Sequence, residues 1–471
     1  MCGIIGIYQK DKKHTNAAKL AAYALFAEQH RGQESCGIAV SDGNKISITK
    51  EMGLVKEVFT EKKSKKMDGK LAIGHVRYPT KGKSNINNAQ PYLLNTLSGQ
   101  SFALVGNGDI VNYSNIRKQL EKQGVFFESE NDGELILKYL VFWHIKKGLS
   151  IIESIKKIMQ NFQGSYSTLL LIKNKIYAFR DPYGNRPFII GKKDNTYVFA
   201  SETCCLNIVN VDFIREINPA EILIVDEKGL KSTPQNPNNY RTSNHNAHCV
   251  FEMIYFSRPD SIVYNHKVYD FREKLGQKLA EKESNIPDIV IPIPDSSNFI
   301  ALGYAKGLGV DFNFGLIRNH YVGRTFIVPE QTIRDEGVTQ KFNALPDYFK
   351  GKIVTLVDDS IVRGTTIRKL VKMVRKNGAK QVHIRIGSPM VKFSCFYGID
   401  TPTREELIAN QKTVEEIKDY MGADSLRYLT IEDLKNLVDN NKEFCYACFD
   451  GKYPIKTLPQ SHQVPKDKFL F

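Results

Sequence analysis

The most informative stretch of the sequence is a polar loop between an apolar run and a helical pattern, at residues 353–376. Apolar residues at 367, 370, 371 and 374 follow the spacing of one helix face, and Asn377-Gly378 is a helix stop. A helix that begins near Gly364 offers backbone N–H groups and a positive dipole end to an anion. The loop before it carries Asp358, Asp359, Ser360, Arg363, Gly364, Thr365 and Thr366. The acidic pair suits a ligand with hydroxyl groups and a divalent cation beside its phosphate.

A plainer explanation of the same loop also stands. A carboxylate pair can end an ordinary buried strand, with Gly364 present only for turn geometry. The apolar run at residues 353–357 is typical of a buried parallel strand. Residues 288–294 form a second apolar strand that ends at Asp295-Ser296-Ser297, and residues 379–388 form a third.

The second residue of the chain is a cysteine that begins an apolar strand pattern over residues 2–11. If Met1 is removed, Cys2 becomes the amino terminus, and an α-amino group with a pKa of about 7.7–8.0 can accept the thiol proton at neutral pH. A terminal cysteine therefore needs no separate histidine to act as a nucleophile. Taken alone, Cys2 is explained more simply as a small buried residue in a strand.

Three further positions in the first half could bind or polarise an amide substrate. Arg77 lies after a strand and before a proline, where its guanidinium could clamp a carboxylate with two hydrogen bonds. Asn107-Gly108 follows a strand, and an amide beside a glycine N–H is the material of an oxyanion hole. Asp132 lies at a predicted helix start, where a plain N-cap is the simpler explanation.

The elements that must hold these residues are mainly strands. Sheet-on-sheet packing with flanking helices is expected, because turns separate a second layer of apolar runs at residues 165–172, 175–181, 187–191, 196–201 and 221–226. Residues 232–247 are rich in Pro, Asn and Ser without periodicity, which indicates a linker, placed at residues 236–248. The predicted domains are therefore 2–235 and 249–471, and a chain of 471 residues is too long for one ordinary core.

Composition narrows the class of protein. The net charge is +15, which either a solvated lysine-rich surface or attraction of a polyanionic substrate explains. No basic stripe carries interleaved aromatic residues, so no nucleic-acid partner is expected. No apolar run approaches the roughly 18–20 residues that span a membrane, and the N-terminus lacks the pattern of a secretory signal. A cytoplasmic protein without membrane association is expected.

The chain has eight cysteines, and in a cytoplasmic protein metal binding or catalysis is expected of them rather than disulfides. Cys445 and Cys448 form a C-x₂-C, a spacing shared by zinc sites, iron–sulfur clusters and redox pairs. Cys249 and Cys395 are isolated and carry no signal by themselves.

The first half resembles the N-terminal-nucleophile (Ntn) glutaminase domain of class II glutamine amidotransferases. The matching motifs are the terminal CGI-G, HRGQ, GHVRYPT, NG and D-x-E. The resemblance implies that Cys2 attacks the side-chain amide of glutamine. It also implies that Arg77 and Asp132 hold the α-carboxylate and α-amino groups, while Asn107 and Gly108 stabilise the oxyanion.

One departure from that family concerns the oxyanion hole. The family usually carries His-Asn-Gly-Asn where this chain has Gly106-Asn107-Gly108-Asp109. The donor pair is kept and its neighbours are altered, so we expect a change in rate rather than in reaction class.

Residues 353–366 resemble the signature by which phosphoribosyltransferases bind phosphoribosyl pyrophosphate (PRPP). The resemblance implies that Asp358 and Asp359 contact the ribose hydroxyls and that the loop after them holds the 5-phosphate. Ser296 would lie near the pyrophosphate and would bind the same Mg²⁺ ion as Asp358 and Asp359. Residues 318–327 resemble a mobile loop that closes over PRPP, with Arg324 and Lys341 as pyrophosphate contacts.

Over essentially its whole length the chain resembles the amidophosphoribosyltransferase family, in the branch that carries a [4Fe–4S] cluster. The resemblance implies that the cluster ligands are Cys249, Cys395, Cys445 and Cys448, with zinc in the same four-cysteine site as the alternative. The implied α/β fold has two domains. The first is a four-layer αββα Ntn glutaminase domain, and the second is a type I phosphoribosyltransferase domain with a mainly parallel sheet.

The implied reaction converts PRPP, glutamine and water into 5-phosphoribosylamine, glutamate and pyrophosphate, the first committed step of purine (IMP) biosynthesis. A homotetramer inhibited by purine nucleotides is expected from the same resemblance. Two other functions stay open: a class II amidotransferase with another acceptor, and a nucleotide-binding regulator with a decayed site. An acceptor assay with PRPP distinguishes the first, and glutamine-dependent pyrophosphate release distinguishes the second.

Overall fold

The computed structural model describes residues 1–10, 15–64, 66–79, 82–242, 244–320 and 341–455. The strands of the first half are β1 (Gly3–Gln9), β2 (Ser35–Ser41), β3 (Ile46–Met52), β4 (Leu71–Arg77), β5 (Tyr92–Asn95), β6 (Ser101–Ile110), β7 (Gly164–Ile172), β8 (Lys175–Arg180), β9 (Ile189–Lys193), β10 (Thr196–Ala200), β11 (Asp212–Glu216), β12 (Ile222–Asp226) and β13 (Gly229–Thr233). The α-helices there are α1 (Ala17–Ala27), α2 (Val55–Val58), α3 (Glu61–Ser64), α4 (Tyr113–Glu121), α5 (Asp132–Val141), α6 (Ile151–Asn161) and α7 (Cys204–Ile208).

The first-half strands form two antiparallel sheets. One has the order β11–β9–β10–β1–β4–β2–β3, and the other has the order β13–β12–β8–β7–β6–β5. Strand β1 lies in the middle of its sheet, with Ile5 opposite Gly74 of β4 and Ala200 of β10. The residue that precedes β1 is therefore held by strands on both sides.

Successive side chains of each strand point to opposite faces of the sheet, and this alternation builds the layers of the first half. On β1, Ile5 and Ile7 pack with α1, while Ile4 and Tyr8 pack against the second sheet. Helices α4, α5 and α6 cover the outer face of the second sheet. The result is a four-layer αββα arrangement, as predicted.

The second half contains shorter strands and longer loops. Its strands are β14 (His248–Cys249), β15 (Ile262–Val263), β16 (His266–Lys267), β17 (Ile289–Pro292), β18 (Asp311–Phe312), β19 (Leu316–Arg318), β20 (Phe342–Ala344), β21 (Ile353–Asp358), β22 (Gln381–Ile386), β23 (Ser425–Tyr428) and β24 (Phe444–Cys445). Its α-helices are α8 (Val268–Ala280), α9 (Asn298–Leu308), α10 (Thr365–Lys376), α11 (Ile408–Gln411), α12 (Val414–Met421), α13 (Ile431–Lys435) and α14 (Ala447–Asp450).

The main sheet of the second half is parallel, with the strand order β18–β17–β21–β22–β23. Helices α8 and α9 cover one face, and α10 and α12 cover the other. Strands β17 and β21 are neighbours, with Pro292 opposite Val357. Because parallel strands end at the same edge, the polar loops after β17 and β21 meet there, where α/β sheets bind ligands.

Two strand predictions are wrong in detail. The sequence pattern predicts residues 187–191 and 196–201 in the second layer, but β9 and β10 belong to the first sheet, where β10 pairs with β1. A local pattern shows that a strand exists and does not show its partner, which tertiary register sets. No strand is predicted after residue 388, yet β23 extends the parallel sheet. Its four residues are too few for a visible alternation.

Within the described ranges, every helix is too short or too polar to cross a lipid bilayer.

Candidate active sites

One pocket in the first half collects the residues predicted to bind glutamine. Cys2, Arg77, Asn107, Gly108 and Asp132 all line it, although they come from the residue before β1, the end of β4, β6 and the start of α5. The structure therefore brings together five positions that span 130 residues of sequence.

Cys2 lies immediately before β1 and is held through its backbone. Its N–H donates to Asn107 Oδ1 over 3.2 Å, and its carbonyl oxygen accepts from Arg31 Nε over 3.0 Å. The thiol lies 3.8 Å from the carbonyl oxygen of Tyr78. Met1 is buried ahead of it, and burial lowers the pKa of the Met1 amino group to about 5.

The predicted oxyanion donors lie side by side on β6. Asn107 is buried, and its Nδ2 has no hydrogen-bond partner among the described residues. Gly108 pairs with Tyr166 of β7, and a Cβ at position 108 would lie 1.9 Å from the Ser165 carbonyl oxygen. Close strand approach therefore requires glycine at 108. A buried, unused amide donor next to the cysteine has the character of an oxyanion hole.

The two residues predicted to hold the ends of glutamine have different surroundings. Arg77 is buried and forms an ion pair with Glu34. Asp132 is the first residue of α5, and its Oδ2 accepts from Ile110 N over 3.1 Å. The N-cap is Asn131 rather than Asp132, because the Asn131 side chain accepts from Gly133 N over 2.8 Å. The simple N-cap explanation of Asp132 is therefore wrong.

Sequence reasoning assigned no role to several residues of this pocket. Tyr78, Gln90, Asn131 and Ser165 also line it. Gln90 is the most closely engaged, since it exchanges two hydrogen bonds with the backbone of Gly106. The available signal in the sequence was weak: a polar side chain directly before a proline.

The second candidate site lies at the carboxyl edge of the parallel sheet. Burial raises the pKa of Asp358, and the neighbouring Asp359 charge raises it further. Burial also raises the pKa of Asp359. A cation beside the pair would offset the desolvation and the repulsion. Ser296, from the loop after β17, donates to Asp359 Oδ1 over 2.5 Å, so the two predicted loops do meet.

The loop between Asp359 and α10 has the predicted geometry. Gly364 has a φ of 75° and precedes α10, which begins with Thr365 and Thr366. A left-handed residue at this point favours glycine, and the helix presents its first N–H groups beyond it. The apolar face of α10 is buried as predicted, at Ile367, Leu370, Val371 and Val374.

The remaining predicted contacts divide into three cases. Lys341 stabilises the charge of Asp358 electrostatically. Arg363 forms an exposed ion pair of 2.8 Å with Glu406. Arg324 lies outside the described residues, as does most of the predicted mobile loop.

The four predicted cluster cysteines lie together. Cys249 of β14 is opposite Cys445 of β24. Burial raises the pKa of Cys448, and the thiols of Cys249, Cys395 and Cys445 raise it further, which places all four within electrostatic range. In the part of the chain that the structure describes, no three His, Cys, Asp or Glu side chains lie close enough to share one metal ion.

Two domain families match the chain. Residues 77–207 match the family described as "Glutamine amidotransferase domain", and residues 260–387 match "Phosphoribosyl transferase domain". The first range contains much of the pocket beside Cys2, and the second contains the carboxyl edge of the parallel sheet.

Full-length relatives extend the match. The amidophosphoribosyltransferase of Bacillus subtilis is 42% identical over 462 residues, covering 97% of this chain and 94% of that protein. The enzyme of Methanothermobacter thermautotrophicus is 42% identical, with 96% and 94% covered. "Amidophosphoribosyltransferase 2, chloroplastic" of Arabidopsis thaliana is 44% identical, with 97% and 79% covered.

A solved structure agrees over both halves. The glutamine PRPP amidotransferase of B. subtilis, complexed with ADP and GMP, has a TM-score of 0.89 and 40% identity, and the match covers 98% of each chain. Fold and sites therefore define an Ntn glutamine amidotransferase joined to a phosphoribosyltransferase. The chain belongs to the amidophosphoribosyltransferase family. It is a glutamine-dependent transferase of the first step of purine biosynthesis.

Proposed function

We propose that the two sites divide the reaction of this enzyme between them. Glutamine is hydrolysed at Cys2, and the released ammonia attacks C1 of PRPP beside Asp358 and Asp359. Pyrophosphate leaves, and 5-phosphoribosylamine forms. The observation that carries the proposal is the single pocket shared by Cys2, Arg77, Asn107, Gly108 and Asp132.

In the first step, the α-amino group of Cys2 takes the thiol proton after removal of Met1. Cys2 N already lies 3.2 Å from Asn107 Oδ1, a contact that would orient the new amine. The thiolate attacks the glutamine amide, and the oxyanion accepts from Asn107 Nδ2 and Gly108 N–H. Collapse, with the α-ammonium of Cys2 giving its proton to the departing nitrogen, releases ammonia and leaves a thioester. Water then attacks the thioester, which frees glutamate and restores the thiol. Arg77 and Asp132 hold the carboxylate and amino ends of the substrate.

In the second step, the carboxyl edge of the parallel sheet binds PRPP. Backbone N–H groups at the start of α10, with Thr365 and Thr366, would hold the 5-phosphate. Asp358 and Asp359 would accept hydrogen bonds from the ribose hydroxyls. A buried and a half-buried carboxyl group beside Ser296 suit Mg²⁺, which prefers oxygen ligands and when bound would offset the charge of departing pyrophosphate.

Ammonia must reach the second site before water protonates it, so a dry passage between the sites is part of the proposal. Direct contact between the halves at the glutamine pocket supports this passage. Ser165, which lines that pocket, donates to the Tyr397 carbonyl oxygen over 2.7 Å. Full equilibration of ammonia with solvent during glutamine turnover would contradict it.

We also infer that Cys249, Cys395, Cys445 and Cys448 hold a [4Fe–4S] cluster. Four buried or half-buried thiols fit the donor set of an iron–sulfur site. The four thiols lie within electrostatic range of one another, and zinc in the same four-cysteine site is the alternative. The cluster would join three distant segments of the second half.

Further features of the proposal are a homotetramer, a cytoplasmic location and inhibition by purine nucleotides. The B. subtilis relative was solved with ADP and GMP, and another solved relative is described as the allosteric regulatory enzyme of purine biosynthesis. The same edge of the parallel sheet could accept a nucleotide 5′-phosphate in place of PRPP.

The proposal is tested by Cys2→Ala with two nitrogen donors. Glutamine-dependent phosphoribosylamine synthesis should disappear, and ammonia-dependent synthesis should persist, because the second site does not use the thiol. The control is Cys36→Ala, which removes a buried cysteine of β2 outside the pocket. Equal loss of both activities in Cys2→Ala would count against the division of labour.

A further inference from the structure

The side chain of Gln90 continues a strand ladder at the oxyanion residues. Strands β5 and β6 are antiparallel, with Tyr92 opposite Leu104, and the same register would put position 90 opposite Gly106. Strand β5 begins only at Tyr92, and the residue before it, Pro91, has no N–H to donate. The side-chain carboxamide of Gln90 therefore forms the hydrogen bonds to β6 that a strand backbone would otherwise form at this position.

The carboxamide reproduces the bonds of an antiparallel pair. Gln90 Oε1 accepts from Gly106 N over 2.7 Å, and Gln90 Nε2 donates to Gly106 O over 3.1 Å. Gly106 directly precedes Asn107, so these two bonds fix the backbone that carries the oxyanion donors. Glycine has more backbone freedom than any other residue, so hydrogen bonds that restrain the backbone have a large effect at Gly106.

Packing does not require glycine at position 106. A Cβ there would meet its nearest neighbour, Thr168 Oγ1, at 3.6 Å, which is ordinary contact. This differs from Gly108, where a Cβ would clash with backbone. The β7 ladder holds one edge of Gly106, where Thr168 is its partner, and Gln90 supplies the hydrogen bonds on the opposite edge.

Gln90 also touches the helix that carries Asp132. Its Nε2 donates to Asn131 Oδ1 over 3.2 Å, and a Cβ at Gly133 would lie 3.0 Å from Gln90 Cδ. Gln90 is only 3% exposed, so water competes little for these bonds. One buried side chain thus joins the oxyanion strand to the start of α5.

We propose that Gln90 is a positioning residue for glutamine hydrolysis, which sets Asn107 and Gly108 relative to Cys2 through the backbone of Gly106. The inference rests on the proposed glutaminase function. Donors that are already in place need no reorganisation during the reaction, and loss of one such donor costs about 10²–10³ in rate. If the donors remain but are displaced, the rate should fall by a smaller factor.

Gln90→Met tests the proposal, because methionine has a similar shape and cannot form either bond. We expect kcat for glutamine hydrolysis to fall by about 10–100-fold, with a smaller change in KM. Ammonia-dependent synthesis and the rate of Cys2 alkylation by iodoacetamide should stay at the wild-type level. Adding Gly106→Ala should restore part of kcat, because alanine restricts the backbone that Gln90 no longer holds.

The matched control is Asn112→Leu. Asn112 is also a buried carboxamide bound to backbone, with Nδ2 donating to Asn161 O over 2.8 Å and Oδ1 accepting from Gln163 N over 2.9 Å, but it does not line the pocket. If Gln90→Met keeps wild-type kcat, or loses both activities and thermal stability in parallel with the control, the proposal is wrong. Should Gln90→Met not fold, Gln90→Glu, which keeps one acceptor, is measured in the same way. A wild-type enzyme without glutaminase activity would instead overturn the proposed function.

Discussion

Arg31 connects Cys2 to the second half of the chain: its Nε donates to the Cys2 carbonyl oxygen over 3.0 Å, and its Nη2 donates to Glu252 over 2.9 Å. The Arg31 and Glu252 side chains are fully buried. Glu252 also accepts from Ser257 Oγ over 2.9 Å, and the Ser257 carbonyl accepts from Arg272 over 2.7 Å. The backbone of Cys2 is thus held by a buried charge pair that crosses from one half to the other.

Arg31→Lys should weaken both the fold and the reaction with glutamine. Lysine keeps the charge but cannot bind Cys2 and Glu252 at once with a planar fork. Disrupting a buried pair costs about 3–5 kcal/mol, so the free energy of unfolding in urea should fall by roughly that amount. The control is Arg375→Lys, whose pair with Asp424 is partly exposed and should be worth at most about 1 kcal/mol. Equal destabilisation by the two changes would contradict the role of Arg31.

Asp359→Asn should separate the two half-reactions. The carboxyl group is buried and its pKa is raised by that burial, so a neutral amide should leave the fold stable. Synthesis of phosphoribosylamine should fall by about 100-fold with either nitrogen donor, because the ribose and the cation lose a ligand. Glutamine hydrolysis at Cys2 should continue, and this is measured as glutamate release. Preserved synthesis in Mg²⁺-saturated Asp359→Asn would place the acceptor site elsewhere.

Glu28 should make stability depend on pH. Burial raises its pKa to about 8, although Arg31 opposes the shift, against an ordinary value of 4.5. The folded state therefore holds this proton more tightly than the unfolded state. Its contribution to stability is complete below about pH 4.5 and is lost as the pH rises through about 8.

Glu28→Gln removes this titration while keeping the shape of the side chain. The difference in unfolding free energy between wild type and Glu28→Gln should shift against the wild type by a few kcal/mol between about pH 5 and 9. Urea titrations at several pH values measure it. A pH-independent difference would show that Glu28 does not change protonation on folding.

The cysteine site should be visible in the colour of the protein. Anaerobically purified enzyme should be brown, with absorbance above about 400 nm and about four labile sulfides per chain. Cys445→Ser should lose iron and sulfide, whereas Cys205→Ser, a buried cysteine of α7, should retain both. A colourless enzyme that contains zinc would replace the cluster with the alternative metal.

Much of this architecture could be predicted because the decisive signals are local. The apolar face of α10, the turn at Gly364 and the strand before Asp358 each follow from the spacing of residue types. The residues predicted to bind glutamine could be identified only through motifs, because no local sequence rule brings Cys2 close to Asp132. Their shared pocket depends on sheet stacking.

The features that sequence reasoning missed depend on register and on unusual partners. Strands β9 and β10 were visible as strands, but their pairing with β1 was not. Gln90 acts as a substitute for backbone, a role that no periodicity reveals. Arg31 was part of a recognised motif, yet its bond to the Cys2 carbonyl appears only in three dimensions.

The central claim is that the thiol of Cys2 acts with its own amino group. The most direct test is the intact mass of fully active enzyme, alone and after reaction with an electrophilic glutamine analogue. We predict a mass without Met1 and a single adduct on the peptide that begins with Cys2. Fully active enzyme that still carries Met1, or an adduct on another residue, would contradict the claim.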